Sequence, residues 1–265
     1  MSNPGIGPES GSGMIAGWVR NVAVAGRFLT RLPFRPKGDV GPGELADAGR
    51  VYPLIGLLVG TLAGAALMLA AELDLHPLAC AFIGLVVGAL TTGGLHEDGL
   101  ADVADGFGGG HDRASKMRIM RDSRIGTYGV LALIFSVAVR ASILSGLPGP
   151  GLAVAALIGA GVLSRSVLPV VMVFVPLART DGLAASAGRG GMPTMVLALV
   201  VGPVLAAPFV GVAVALAGGA AALVAAGVMA IVARRQIGGY TGDVLGATQQ
   251  LAEVAVLMVA GAFAL

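Results

Sequence analysis

The chain is predicted to be an all-α, polytopic membrane protein, with about seven transmembrane helices and an N-terminal interfacial helix. Three observations predict this. Hydrophobic residues make up 56% of the 265 residues and charged residues only 12%, about half the charged share of a soluble domain. Mean hydropathy is +0.88. The apolar residues also fall in runs of about twenty, the length that crosses a bilayer core. Abundant Gly and Ala suit close approach of helices in lipid.

The elements follow in order. Residues 1–13, rich in Gly, Pro and Ser, read as a disordered tail; they lack the basic start and apolar core of a signal peptide. Residues 14–265 read as a single integral membrane catalytic domain. MIAGWVRNVAVAGRFLTRLPF mixes apolar residues with Arg20, Arg27 and Arg31, the pattern of a helix lying on the membrane. Pro33 and Pro36 would end it. Spans are expected at 51–73, 76–95, 127–147, 151–177, 194–216, 218–233 and 249–265. The last two are short enough to be tilted or partly re-entrant. Cys80 lies inside an apolar run, so it reads as a small buried hydrophobe with no disulfide framework around it.

The basic residues alternate from connection to connection. Arg20, Arg27, Arg31, Arg35, Lys37 and Arg50 precede the first span, and Arg113, Lys116, Arg118, Arg121 and Arg124 follow the second. Arg179 and Arg189 follow the fourth, and Arg234 and Arg235 the sixth. The remaining connections carry no Lys or Arg. The positive-inside rule then places every basic loop and the N-terminus in the cytoplasm and the C-terminus outside. The outer turns are too short for a site, so chemistry is expected at the cytoplasmic face. Arg140 and Arg165 fall within spans. A charge there needs a partner or a wet cavity; Arg140 reads as close enough to the outer end to snorkel.

The acidic stretch GGLHEDGLADVADGFGG (93–109) follows the second span. Asp98, Asp102 and Asp105 are spaced i, i+4, i+7 and share one helix face. Unpaired, they would repel one another. A hard divalent cation such as Mg²⁺ between them removes that cost, which makes them the candidate metal ligands and catalytic carboxylates. Gly99, Ala101, Ala104 and Gly106 leave room for a substrate group. The bland reading is a solvated helix end paired with nearby arginines. His96 reads as a base, ligand or donor, and Glu97 as a supporting or surface group. KMRIMRDSRIGTYG (116–129) comes next. Arg118, Arg121 and Arg124 suit bidentate phosphate contacts, although anionic lipid headgroups would also explain them. Carboxylates followed by guanidiniums are the layout of metal-assisted attack on a phosphoanhydride. A third segment, RRQIGGYTGDVLGATQQLAE (234–253), sets Asp243 among glycines beside Thr241. Asp243 would bind metal or orient a ribose or base. Glu253, inside an apolar span, calls for a partner.

No GxxxxGK[ST] loop is present and no GxGxxG follows a strand, and nucleic acid is not expected as a partner. GRGG (188–191) reads as a flexible loop, His76 and His111 as structural, and the Met residues as packing.

Together, GGLHEDGLADVADG, RIMRDSRIGTYG and GGYTGDVLGA, with FLTRLPF and VYPLIGLLVG, resemble the cobalamin-5′-phosphate synthase family of adenosylcobinamide-GDP ribazoletransferases. The matches run from about residue 28 to 253. Leu95 stands where the family often has Phe, and Glu97 fills a variable slot. The resemblance implies a Mg²⁺-dependent enzyme of the bacterial inner membrane. A hydroxyl of α-ribazole, or of its 5′-phosphate, would attack the phosphate that links cobinamide to GMP, releasing GMP and completing the nucleotide loop of adenosylcobalamin. The family's site falls on His96, Asp98, Asp102, Asp105, Asp122, Ser123, Arg124 and Asp243. Arg118, Arg121, Asp122, Ser123, Arg124, Thr241 and Asp243 are then the expected substrate-binding set. Assembly with further copies of the chain is left open. Two rivals remain. A CDP-alcohol phosphotransferase uses similar chemistry, but its usual pattern has an Ala-Arg pair that does not follow Asp105-Gly106, and the aspartates here run D-x₃-D-x₂-D. A cation transporter would spread carboxylates through the bilayer midplane and show an inverted repeat, which this sequence does not.

Overall fold

Two consecutive glycines decide where the second apolar run stops. Gly93 and Gly94 both adopt positive φ, +68° and +70°, a left-handed conformation that costs glycine little and other residues more. The computed structural model that shows this describes residues 9–41, 43–182, 187–188 and 190–264, with residues 9–15 described as backbone only. The expectation for Arg189 and for the tail at 1–8 lies outside the described residues. From Glu9 onward the backbone is helical, inside the stretch expected to be tail.

The helices in chain order are α1 (Glu9–Leu29), α2 (Glu44–Asp47), a 3-10 turn (Ala48–Val51), α3 (Tyr52–Glu72), α4 (Pro77–Thr92) and α5 (Leu95–Gly109). They continue as α6 (Arg113–Ile119), α7 (Thr127–Gly146), α8 (Pro150–Ser166), α9 (Leu168–Phe174), α10 (Met192–Val210), α11 (Val212–Ile237) and α12 (Gly242–Ala264). Among the described residues the one exception to helix and loop is an isolated parallel bridge between Leu177 and Tyr240. Six stretches are long and apolar enough to cross a membrane; the crossing expected at 76–95 falls on α4, and a 90° bend at the two glycines separates it from α5. The bend swings the acidic helix α5 out of line with α4.

The sixth and seventh spans are full-length and not the short elements that hydropathy indicated. They cover Val212–Ile237 and Gly242–Ala264. The polar residues Gln249, Gln250 and Glu253 lower the hydropathy of the last span's first half, yet Gln249 and Gln250 are buried within the bundle. Polar groups with partners inside a bundle are compatible with a span.

α8 with α9 forms the centre: 83% of its most apolar window is buried, against 28% for α7, α10 and α11. α3 packs against it through small residues. A Cβ on Gly56 would lie 2.1 Å from the Gly161 carbonyl oxygen, and one on Gly60 2.7 Å from the Ile158 Cα. Such backbone contact is how helices associate where lipid removes the hydrophobic drive. At one end of the bundle the basic loops meet. Arg113 donates to the Ala178 carbonyl at 2.7 Å, Lys116 to Gln236, and Arg121 to Asp181. α1 is tied to the same end by the Arg20–Glu44 ion pair at 2.8 Å.

This packing yields a contrast. Gly56→Val drives a side chain into backbone and should cost about 1–3 kcal/mol, several degrees of melting temperature in detergent. Gly227→Ala, where the structure shows open space, should melt with the wild type or slightly above it. Equal melting of the two variants would refute the close α3–α8 contact.

Candidate active site

The carboxylates are assembled where α5 crosses α12. A Cβ on Gly99 would sit 2.7 Å from the Asp243 carbonyl oxygen and 3.1 Å from the Gly246 Cα; one on Gly246 would sit 3.2 Å from the Gly99 Cα. Only glycine permits this approach. It sets Asp98 and Asp102, one turn apart on α5, beside Asp243 in the first turn of α12. Thr241 holds that turn. Its buried hydroxyl donates to the Asp243 carboxylate at 3.0 Å and accepts the Val244 N–H at 3.3 Å, a side-chain cap on a helix start.

A second chain segment is clamped onto the same turn. Tyr240 N–H donates to the Pro176 carbonyl at 2.8 Å, and Ala178 N–H to the Tyr240 carbonyl at 2.9 Å. A Cβ on Gly239 would meet the Pro176 oxygen at 2.3 Å, so the first residues of GGYTGD must be small. The clamp carries Arg179 to 3.8 Å from the Asp243 carboxylate. Sequence reading used Arg179 only for topology. Its local sequence, PLARTDG, gives no signal that it belongs to the site.

α5 lies outside the six spans, and Asp102 on it is half-buried. Burial, and then the charges of Asp98, Asp243 and Asp105, push its carboxyl up to about 7, with Arg179 pulling the other way. The site is therefore charged to excess with negative groups, the condition that a bound cation relieves.

Asp105, expected with Asp98 and Asp102 as a metal ligand, has a structural task as well. Its two oxygens accept the backbone N–H groups of Gly126 at 2.7 Å and Gly129 at 2.9 Å. It thus caps the start of α7, where a negative charge also meets the positive end of the helix dipole. A Cβ at Gly126 or Gly129 would collide with that carboxylate at 2.5 or 2.4 Å, which accounts for the glycines of RIGTYG.

His96 and Glu97 reach into the bundle, and His96 also borders the cavity that Asp98 and Asp243 line. Within the bundle, Arg140 donates to Glu253 at 2.9 Å and lies 3.9 Å from Glu97. Arg165 lies 4.0 Å from the second Glu253 oxygen. Gln250 donates to Glu97 at 3.1 Å, and Gln249 to Ser164 at 3.0 Å and to Glu253 at 2.6 Å. Buried His96 lines a cavity of about 30 Å³ in the middle of this set. Two guanidiniums thus balance two carboxylates. Arg140 does not snorkel: it is 4% exposed and paired, because its partner sits on the facing helix α12 at its own depth. Glu97 is likewise no surface group.

The arginines of the 116–124 segment surround the carboxylates' end of the bundle without touching them. Arg121 grips both oxygens of Asp181, at 2.9 and 2.8 Å. Arg124 pairs with Asp122 at 2.8 Å, and its hydrogen bond holds the Asp122 carboxyl low, at about 2. Arg118 and Ser123 are exposed. Exposed pairs of this kind contribute little stability and can be exchanged for phosphate oxygens at small cost.

These roles separate by melting. Asp105→Ala strands two backbone donors at the α7 start and should cost about 1–3 kcal/mol. Asp102→Asn should melt at or above the wild type at neutral pH. Its pKa in the folded chain is raised from 3.8 to about 7, so its ionisation opposes folding increasingly as pH climbs through that window. A lower melting point for Asp102→Asn, or none for Asp105→Ala, would reverse the assignment.

With this geometry in hand, comparison with known proteins is specific. The family model for cobalamin-5-phosphate synthase matches residues 21–261. A protein of Bradyrhizobium diazoefficiens named adenosylcobinamide-GDP ribazoletransferase is 42% identical over 253 residues, covering 96% of this chain and 97% of its own length. Proteins of the same name from Rhizobium etli and Mesorhizobium japonicum are each 44% identical over 245 residues, covering 89% and 91% of this chain and 94% and 92% of their own. No solved structure matches. Matched from residue 21 to residue 261, across α5, α7 and α12 alike, the chain belongs to the cobalamin-5-phosphate synthase family.

Proposed function

We propose that this chain is an adenosylcobinamide-GDP ribazoletransferase, working at the cytoplasmic face of a bacterial inner membrane. It would join the phosphate on cobinamide to a ribose hydroxyl of α-ribazole or its 5′-phosphate. The observation that carries the reading is the convergence of Asp98, Asp102 and Asp243 at the α5–α12 crossing, with Arg179 beside them. The relatives' names supply the substrates. The basic loops gathered at that end support a cytoplasmic site.

The reaction needs a cation for the diphosphate, and the donor set fits Mg²⁺. Among the described residues no three His, Cys, Asp or Glu side chains already form a metal cage. Mg²⁺ seldom uses one; it binds through one or two carboxylates, waters and substrate phosphate oxygens. Asp98, Asp102 and Asp243 would supply those carboxylates, and Asp105 would hold α7 in register instead. When bound, the ion neutralises charge developing on the departing nucleotide. Arg179, 3.8 Å from Asp243, would contact a phosphate oxygen there, and Arg118, Arg121, Asp122, Ser123 and Arg124 would bind substrate from the neighbouring loop. The attacking hydroxyl's proton would pass to a site carboxylate or to water. His96, which also borders the cavity lined by Asp98 and Asp243, would be a further candidate to take it.

Purified chain incubated with Mg²⁺, α-ribazole 5′-phosphate and adenosylcobinamide-GDP should release GMP and form a new corrinoid. Chelation should stop turnover and added Mg²⁺ restore it. Asp102→Asn should lower kcat by at least about a hundredfold, the scale of losing one preorganised electrostatic partner of the transition state, while the protein still folds. Full activity in that variant would sink the metal role; no product from folded wild type would sink the reaction.

A further inference from the structure

Two cavities of different size and chemistry open onto one aspartate. The first is about 300 Å³ and sits between α1, α3, α5, α9 and α12. Phe28, Leu95, Leu168 and Leu245 form its apolar wall, and its polar groups include Asp98, Asp243 and Arg179. The second is about 960 Å³ and lies between α1, Asp39, Val40 and Leu45, the α4–α5 bend and the start of α7. Arg27, Arg31 and Val40 line it, and so does Asp98. Both arginines and Val40 are exposed. Asp98 borders both spaces, as do Phe28 and Leu95.

The two proposed substrates differ in the same two ways. Ribazole is a small riboside of a flat, apolar bicyclic base, and small ligands occupy mostly apolar pockets from about 300 Å³ upward. A corrinoid carrying a guanosine diphosphate is several times larger and anionic at the reacting end. It cannot enter the smaller cavity. Guanidiniums suit its phosphate oxygens.

We propose that the cavities sort the substrates: the riboside enters the 300 Å³ cavity base-first, and the corrinoid diphosphate docks in the 960 Å³ cavity, with its phosphate at Arg27 and Arg31. The inference rests on the transferase reading above. The ribose hydroxyl and the cobinamide-bearing phosphorus then meet at Asp98. One O–P bond forms there, the bond to the bridging oxygen of the diphosphate breaks, GMP leaves with that oxygen, and one proton is released. Entry from two sides also places nucleophile and leaving group on opposite sides of the phosphorus, as in-line displacement requires.

The test is a matrix of KM values in nanodiscs. Leu168→Phe and Leu245→Phe narrow the small cavity; Arg27→Ala and Val40→Trp alter the large one. The first pair should raise KM for the riboside by about tenfold or more and leave KM for the corrinoid within about twofold; the second pair should do the reverse. Exchanged or equal effects would overturn the sorting. Equilibrium binding of α-ribazole alone, read without turnover, keeps the two hypotheses apart. Binding weakened in Leu168→Phe and unchanged in Val40→Trp supports the sorting, even if the wild type makes no product and the transferase reading fails. Binding indifferent to Leu168→Phe overturns the sorting, even if turnover is normal. Repeating Arg27→Ala in anionic and in neutral lipid identifies its phosphate. A defect present in both belongs to the diphosphate; one confined to anionic lipid shows headgroup binding and refutes the large cavity's assignment.

Discussion

Where Gly99 meets Asp243 and Gly246, two helix backbones approach more closely than any side chain would allow. The rest of the site depends on this contact. Asp98 and Asp102 come from α5, while Asp243 and Thr241 come from the start of α12, almost 150 residues later in the chain. Without the glycines the helices would stand further apart, and the carboxylates would be solvated separately. With them, the charges of Asp98 and Asp243 are close enough to Asp102 to act on it. The close contact also exposes backbone to backbone, the packing that membrane helices rely on where apolar side chains have no preference for one another over lipid.

α5 is held from both faces. On one side Asp105 caps α7; on the other Glu97 reaches Gln250 and the Arg140–Glu253 pair. Burying ions in a bundle is costly, and the mutual attraction repays the cost only with good geometry and further hydrogen bonds. Gln249, Gln250 and Ser164 supply those bonds. The set joins α5, α7, α8 and α12 at one depth, so the acidic face cannot shift without breaking buried pairs.

Much of this was readable in the sequence. Long apolar runs revealed the spans because bilayer thickness sets their length. The i, i+4 spacing placed Asp98 and Asp102 on one face because helix geometry is local. What stayed hidden was non-local. Asp105 continues the same periodicity, yet its partners are backbone groups on another helix, and the only trace is the glycine spacing of RIGTYG. Gly93 and Gly94 carry no sequence mark of the positive φ angles that make the bend. Arg179 is an ordinary loop arginine until the Leu177–Tyr240 bridge brings it to Asp243. The last span was read short because hydropathy penalises Gln and Glu whether or not a partner awaits them. Arg140 was read as snorkelling because a linear scale cannot see Glu253 across the bundle.

The buried set of Arg140, Arg165, Glu97 and Glu253 sums to no net charge. A transmembrane potential acts on charge, at about 2.3 kcal/mol per elementary charge per 100 mV. A neutral cluster bound to itself feels almost no net force, only a torque on its dipole that four helices resist. Transport proteins and voltage sensors keep such residues unbalanced so that the field can move them. Here the same residue types are cancelled, so the voltage of a membrane gives this buried set almost nothing to pull on.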